Sequence, residues 1–149
     1  MTDVSSAETL RGLGGWLALL VIGQVAGLLR LLKAAADDIA ALGSRHVPAM
    51  AKSAIYFELA LNLIMLMLIV TTTVMMFQKR RLFPTLWKLQ ATTNLVLSLI
   101  GMIVIAVLLN MKLEDLGMSL VQLAFGLVWL IAWTSYLATS VRVKNTFVN

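Results

Sequence analysis

Four apolar runs, at 13–32, 53–77, 89–109 and 118–139, account for most of the chain's 149 residues. Each is long enough to cross a hydrocarbon core of about 30 Å as a helix rising about 1.5 Å per residue. The runs are rich in valine, isoleucine and threonine, but strand propensity has little influence in lipid. An open strand there would leave its backbone amides without partners, whereas a helix satisfies them internally. The chain therefore reads as all-α: a polytopic membrane protein with four transmembrane helices in two in–out–in hairpins, forming a single integral membrane domain over 1–149.

Composition agrees. The chain is 60% hydrophobic and 13% charged, against about 45–50% and 25% in soluble domains. The first run is too long for the h-region of a cleaved leader, which spans about 7–15 residues after a basic segment. It follows Asp3, Glu8 and a single Arg11, and it carries Arg30 and Lys33 near its far end. It reads as a retained span. The second run is the longest and is expected to tilt or to extend past the lipid.

Loop charges set the expected orientation. Arg11, Lys79, Arg80, Arg81, Lys88, Arg142 and Lys144 fall on the side holding the termini; Arg30, Lys33, Arg45, Lys52 and Lys112 fall on the other. The loop QKRRLFPTLWK decides the matter: it has four basic residues, no acid, and is short enough for the positive-inside rule to count it fully. Cytoplasmic termini follow. Asp37, Asp38, Glu114 and Asp115 lie in the two outer loops, in agreement. The net charge of +5 is thereby accounted for by orientation and anionic head groups, and nucleic acid is not an expected partner. In the longer outer loop, Asp37 or Asp38 could cap a short interfacial helix ending near Gly43, with Pro48 just ahead of the second span. The second outer loop, 110–117, reads as a turn.

Certain stretches carry a family likeness. LGGWLALL opens the first span, FELALN lies early in the second, KRRLFP follows it, and SVRVKNTFV closes the chain. In this order they resemble a bacterial family known as domain of unknown function 2569, and the resemblance covers nearly the whole chain. It implies a four-helix protein of the bacterial inner membrane and supplies no activity.

Polar residues inside the spans are the candidates for function. Glu58 is foremost, because an intramembrane carboxylate costs about 2.5–3.5 kcal/mol on insertion scales and should face protein or water. Asn62 lies one turn away on the same face. Arg30, counted as three residues from the outer end of its span, matches Glu58 in depth, so a structural Arg30–Glu58 pair aided by Asn62 is the first expectation. A proton or cation site at Glu58 is a second, and a neutral Glu58 bonded to Gln122 a third. Gly23 and Gly27 form a GxxxG motif suited to close helix approach, either within the bundle or between subunits. Gln24, at mid-membrane, calls for a partner such as Asn94 or a second copy's Gln24.

Trp16, Trp87 and Tyr136 read as interfacial anchors, and Trp129 as packed in the bundle rather than part of a ligand cage. The nine methionines read as adaptable packing. The absence of cysteine excludes disulfides and thiol chemistry. His46, the lone histidine, reads as a solvated loop residue, and no metal or cofactor is called for. No GxSxG, HExxH or phosphate-binding glycine loop occurs, and an enzyme is not expected. Two functions remain. One is a non-enzymatic scaffold or accessory protein acting through helix contacts with itself, as a homodimer, or with another membrane protein. The alternative is a small oligomeric transporter or channel using the polar groups around Glu58.

Overall fold

The computed structural model describes residues 12–44 and 47–148, with the backbone only of 113 and 114. Asp3, Glu8, Arg11, Arg45, His46 and the side chain of Glu114, all used above, lie outside the described residues. All regular structure among the described residues is helical: α1 Trp16–Leu42, α2 Ala49–Phe77, α3 Phe83–Leu108, a 3-10 turn Leu113–Leu116, α4 Gly117–Thr139 and α5 Val141–Thr146. The first four α-helices have 27, 29, 26 and 23 residues, and each is long and apolar enough to cross a membrane. At about 1.5 Å per residue they measure roughly 35–44 Å, so their ends overhang a core of about 30 Å or the bundle tilts.

The first helix is longer than the apolar run that predicts it. It continues from 32 to Leu42 and absorbs the short interfacial helix expected beyond Asp37. The segment KAAADDIAAL is dominated by strong helix formers, and Lys33 pairs with Asp37 one turn on. The two aspartates thus sit inside a continuous helix instead of capping a new one. The third helix also starts early, at Phe83, with Pro84 in its first turn where a missing N–H is tolerated.

Tight turns connect the helices. α2 ends in a Schellman motif: Lys79 N–H donates to Met76 O and Arg80 N–H to Met75 O, with Lys79 left-handed at φ 53°. α3 ends the same way at Asn110, φ 50°, with Met111 N–H reaching Ala106 O.

Each long helix packs on its chain neighbour, α1 on α2, α2 on α3 and α3 on α4, and each seam has a glycine. A Cβ added at Gly27 would lie 3.0 Å from Ile69 Cδ1, one at Gly101 3.6 Å from Leu61 Cδ1, and one at Gly126 3.3 Å from Leu95 Cδ1. Small residues admit close approach where lipid offers no hydrophobic drive to association.

The buried core is gathered at the end of the bundle that holds the termini, here the terminal end; the other is the distal end. Leu17, Leu20, Met76, Phe83, Trp87, Trp133, Leu137, Val143 and Phe147 form one cluster. The chain's last segment makes its floor. Ser140 is extended and caps α5, its Oγ accepting from Val143 N–H at 3.4 Å. Phe147 then stacks on Phe83 with ring centroids 4.4 Å apart. Three segments are tied together here. Gly12 N–H donates to Thr146 Oγ1 at 3.0 Å, Thr146 Oγ1 donates to Gly12 O at 3.3 Å, and Arg81 Nε donates to Val148 O at 2.7 Å. The glycines of LGGW have a physical reason. Gly15 adopts φ 60°, ψ −137°, a region open only to glycine, and a Cβ at Gly14 would meet the Arg142 guanidinium at 3.0 Å.

Candidate functional site

Polar side chains within the helices fall into three groups. The deepest is a pair of amides. Gln24, eight residues into α1, and Gln90, seven residues into α3, are both buried. Gln24 Nε2 donates to Gln90 Oε1 at 3.3 Å and Gln90 Nε2 donates to Gln24 Oε1 at 3.1 Å. The partner expected for Gln24 was Asn94 or another Gln24; the actual one is Gln90, one turn before Asn94 on the same helix. Sequence position could not rank two amides a turn apart until the register of α1 on α3 was known. Asn94 itself is exposed.

The second group lies toward the distal end. Asn62 Nδ2 donates to Asp38 Oδ2 at 3.3 Å, linking α1 to α2. Glu58 is exposed one turn beyond Asn62. The expected Arg30–Glu58 pair is not formed: among the described residues the ion pair present is Lys33–Asp37. The cause is the extension of α1. Arg30 is not three residues from the helix end but twelve, since α1 runs to Leu42. With Gly27 against Ile69 and Asp38 against Asn62, Arg30 lies level with the region of Leu66. That leaves it about 12 Å along the axis from Glu58, two turns away. Arg30 is exposed on the side of the bundle, and so is Gln122 on α4. No hydrogen bond among the described residues joins Gln122 to Glu58.

The GxxxG glycines separate. Gly27 faces Ile69 inside the α1–α2 seam, while a Cβ at Gly23 would meet nothing within 4 Å. Gly23 is on open surface.

The third group is basic and sits at the terminal end. Lys79, Arg80 and Arg81 occupy the short α2–α3 connection; Arg80 Nε donates to Gln78 Oε1 at 3.3 Å, and Arg81 binds the tail as described. Lys88, expected in that loop, is in the second turn of α3. There it lines an open groove of about 380 Å³ with Thr92 of α3 and Leu130, Ile131, Thr134 and Ser135 of α4. Sequence reasoning did not find this groove. Lys88 and Thr92 are spaced i, i+4, and Ile131, Thr134 and Ser135 share one face, but their meeting depends on the α3–α4 register set by Leu95 against Gly126.

Two tryptophans exchange their expected places. Trp87, expected at the interface, is 5% exposed in the core. Trp129, expected in the bundle, is 55% exposed and leans on buried Trp133 with centroids 5.4 Å apart. Trp133 also meets Trp87 at 6.5 Å and Tyr136 edge-on at 5.6 Å. About half a turn of rotation moves a ring from the outer surface of an apolar helix to the core, and hydropathy does not record which face is inside.

Residues 10–148 match the family described as Protein of unknown function (DUF2569). The chain belongs to this family. No curated protein and no solved structure matches it. Membership accounts for the motifs by their positions. LGGW and the VRVKNTFV tail meet at the terminal end, and KRRLFP supplies both the Schellman turn and the Phe83 ring on which the tail stacks. Three of the four stretches that carry the likeness thus build one substructure. FELALN contributes Glu58 and Asn62 at the opposite end.

Proposed function

We propose that this DUF2569 member is a non-enzymatic accessory or scaffold protein of the bacterial inner membrane, with both termini cytoplasmic, that works through lateral helix contacts with a second copy or with another membrane protein. The observation that carries the reading is where the polar groups point. The deep interior pair, Gln24–Gln90, is closed on itself, whereas Arg30, Asn94 and Gln122 are exposed on the sides of helices long enough to span a membrane. A charged side chain turned to hydrocarbon costs about 2.5–3.5 kcal/mol on insertion scales. A neighbouring helix that supplies hydrogen-bond partners removes that cost, and Gly23, open on the same helix as Arg30, allows such a neighbour a close approach.

The orientation rests on the described charges. Lys79, Arg80, Arg81, Lys88, Arg142 and Lys144 cluster at the terminal end, while Asp37, Asp38, Glu58 and Asp115 are all in the distal half.

The test is the mass of the complex extracted in native lipid particles, combined with photocrosslinkers placed at Arg30 and at Phe125, an outward-facing side chain of α4 that is 73% exposed. A complex larger than one chain, with protein adducts from position 30, supports the reading. A monomeric mass with lipid adducts alone at both positions refutes it.

A second reading, a small oligomeric transporter, draws support from a different observation. Glu58 falls at the spacing of buried Ala54 and Met65 on α2, and Asn94 at that of buried Gln90 and Gly101 on α3, yet both are exposed. Among the described residues α1 and α4 meet chiefly at the terminal end, where Leu17 and Leu20 share the core with Trp133 and Leu137. Four helices alone rarely enclose a path, so such groups serve transport only within an oligomer. A heteromeric mass favours the first reading over this one; a homo-oligomeric mass is what this reading requires and fits both.

A further inference from the structure

We propose that the groove between α3 and α4 at the terminal end is a binding site for a phosphate group, carried by an anionic glycerophospholipid of the adjacent leaflet. The groove has the parts such a ligand needs. Lys88 supplies one cation, Thr92, Thr134 and Ser135 supply three hydroxyls, and Leu130 and Ile131 supply an apolar wall. Among the described residues none of these four polar side-chain groups donates a hydrogen bond to another group of the protein, so all are available to oxygens of a phosphodiester. A volume of about 380 Å³ accepts a head group and the first carbons of an acyl chain, not a whole lipid, and the open side allows the chains to continue down the bundle.

Depth selects the lipid over a soluble anion. Lys88 is five residues past Phe83, the first residue of α3, and Ser135 is four residues before Thr139, the last residue of α4. Both are thus within about 8 Å of a helix end. At about 1.5 Å per residue α3 and α4 exceed a core of about 30 Å by only a few ångströms at each end, so this level lies just inside the hydrocarbon edge, within a lysine stem's reach of the phosphates. The lysine stem can lie along Leu130 and Ile131 while its ammonium reaches outward. The surrounding field is positive: Arg81, Arg142 and Lys144 share this end, and the acids whose side chains are described, Asp37, Asp38, Glu58 and Asp115, are in the distal half. The proposal stands whether or not the protein works through lateral contacts.

The experiment titrates the purified full chain in dodecyl maltoside with phosphatidylglycerol, with phosphatidylcholine and with inorganic phosphate, reading retained adducts by native mass spectrometry. Wild type is expected to retain one phosphatidylglycerol in preference to phosphatidylcholine. Lys88→Gln is expected to weaken retention about tenfold, as for loss of a hydrogen bond to a charged group. Thr134→Val weakens it less. Lys144→Gln, which alters the charge of the same end outside the groove, leaves it within about twofold. Equal losses from Lys88→Gln and Lys144→Gln would show diffuse attraction to a basic face and overturn the site. Equal retention of the two lipids would do the same. Displacement of phosphatidylglycerol by inorganic phosphate at matched concentration would overturn the lipid as ligand and assign the groove to a free anion.

Discussion

Gln24 and Gln90 face each other across the bundle and exchange amide hydrogens, each side chain both donor and acceptor to the other. The two are on helices that are not chain neighbours, so the pair fixes the register of α1 against α3 about a third of the way in from the terminal end. An amide left alone there would be a buried donor and acceptor in an apolar setting, which costs about 1–3 kcal/mol. Gln24→Leu is therefore expected to destabilise the fold by about 1–2 kcal/mol, and Gln90→Leu similarly. The double change should fall well short of their sum, because it strands nothing. The measurement is a double-mutant cycle on unfolding in bicelles; strict additivity would mean the pair does not couple.

The two glycines of GxxxG allow packing and association to be separated. Gly27 is closed by Ile69, so Gly27→Leu should disrupt the α1–α2 seam and lower stability by about 1–3 kcal/mol, the range for overpacking. Gly23→Leu meets open space and should leave the monomer's stability within about 0.5 kcal/mol. If copies associate through this face, Gly23→Leu alone abolishes crosslinking between single cysteines along α1. The cysteine-free background makes that readout clean. A stability loss from Gly23→Leu equal to that from Gly27→Leu would contradict the geometry.

Hydropathy made the four helices legible, since about 20 apolar residues in lipid have one backbone solution. It located the terminal end of α2, at Phe77, and the course of α4 nearly to the residue. It missed the last ten residues of α1 because KAAADDIAAL is polar enough to leave the hydrocarbon while still a strong helix former. That single error propagated to the site. Counting depth from residue 32 paired Arg30 with Glu58, and counting from Leu42 puts them two turns apart. The interior partner of Gln24, the exchange of Trp87 and Trp129, and the Lys88 groove were illegible for a common reason. Each depends on helix rotation and register, which in an apolar helix are set by packing and leave little periodic trace. The tail was legible as a motif but not as structure. SVRVKNTFV gave no span, and its role appears only when Phe147 is placed on Phe83.

Topology is checked directly. A reporter fused after Asn149 and one inserted after Ser44 should report opposite sides, the first cytoplasmic, because the described cations of the α2–α3 connection and the tail share one end. Reversing the charges of the connection by Lys79→Glu, Arg80→Glu and Arg81→Glu should reduce the bias. A periplasmic signal from the Asn149 fusion in the unaltered chain would reverse the orientation.

The last prediction concerns the tail as the closure of the terminal end. Phe147 is 5% exposed, stacked on Phe83, and neighbours Val143 in the same cluster as Leu17, Leu20 and Trp133. Most other large apolar side chains of the bundle face outward, so this cluster is the main place where side chains from all four long helices meet. Phe147→Ala is expected to cost about 3–5 kcal/mol, the usual range for a buried phenylalanine. Phe147→Leu keeps most of the volume and should cost less. Thr146→Val removes the two bonds to Gly12 while retaining shape, at about 1–2 kcal/mol. The order Ala, then Val and Leu, can be read from thermal unfolding in detergent with tryptophan emission as the probe, since Trp87 and Trp133 lie in the cluster and report its loosening. Under limited proteolysis Phe147→Ala should also expose the α2–α3 connection at Lys79–Arg81, because Arg81 loses its hold on Val148 O when the tail lifts. A Phe147→Ala protein as stable and as resistant at that connection as wild type would show that the tail rests on the bundle without closing it.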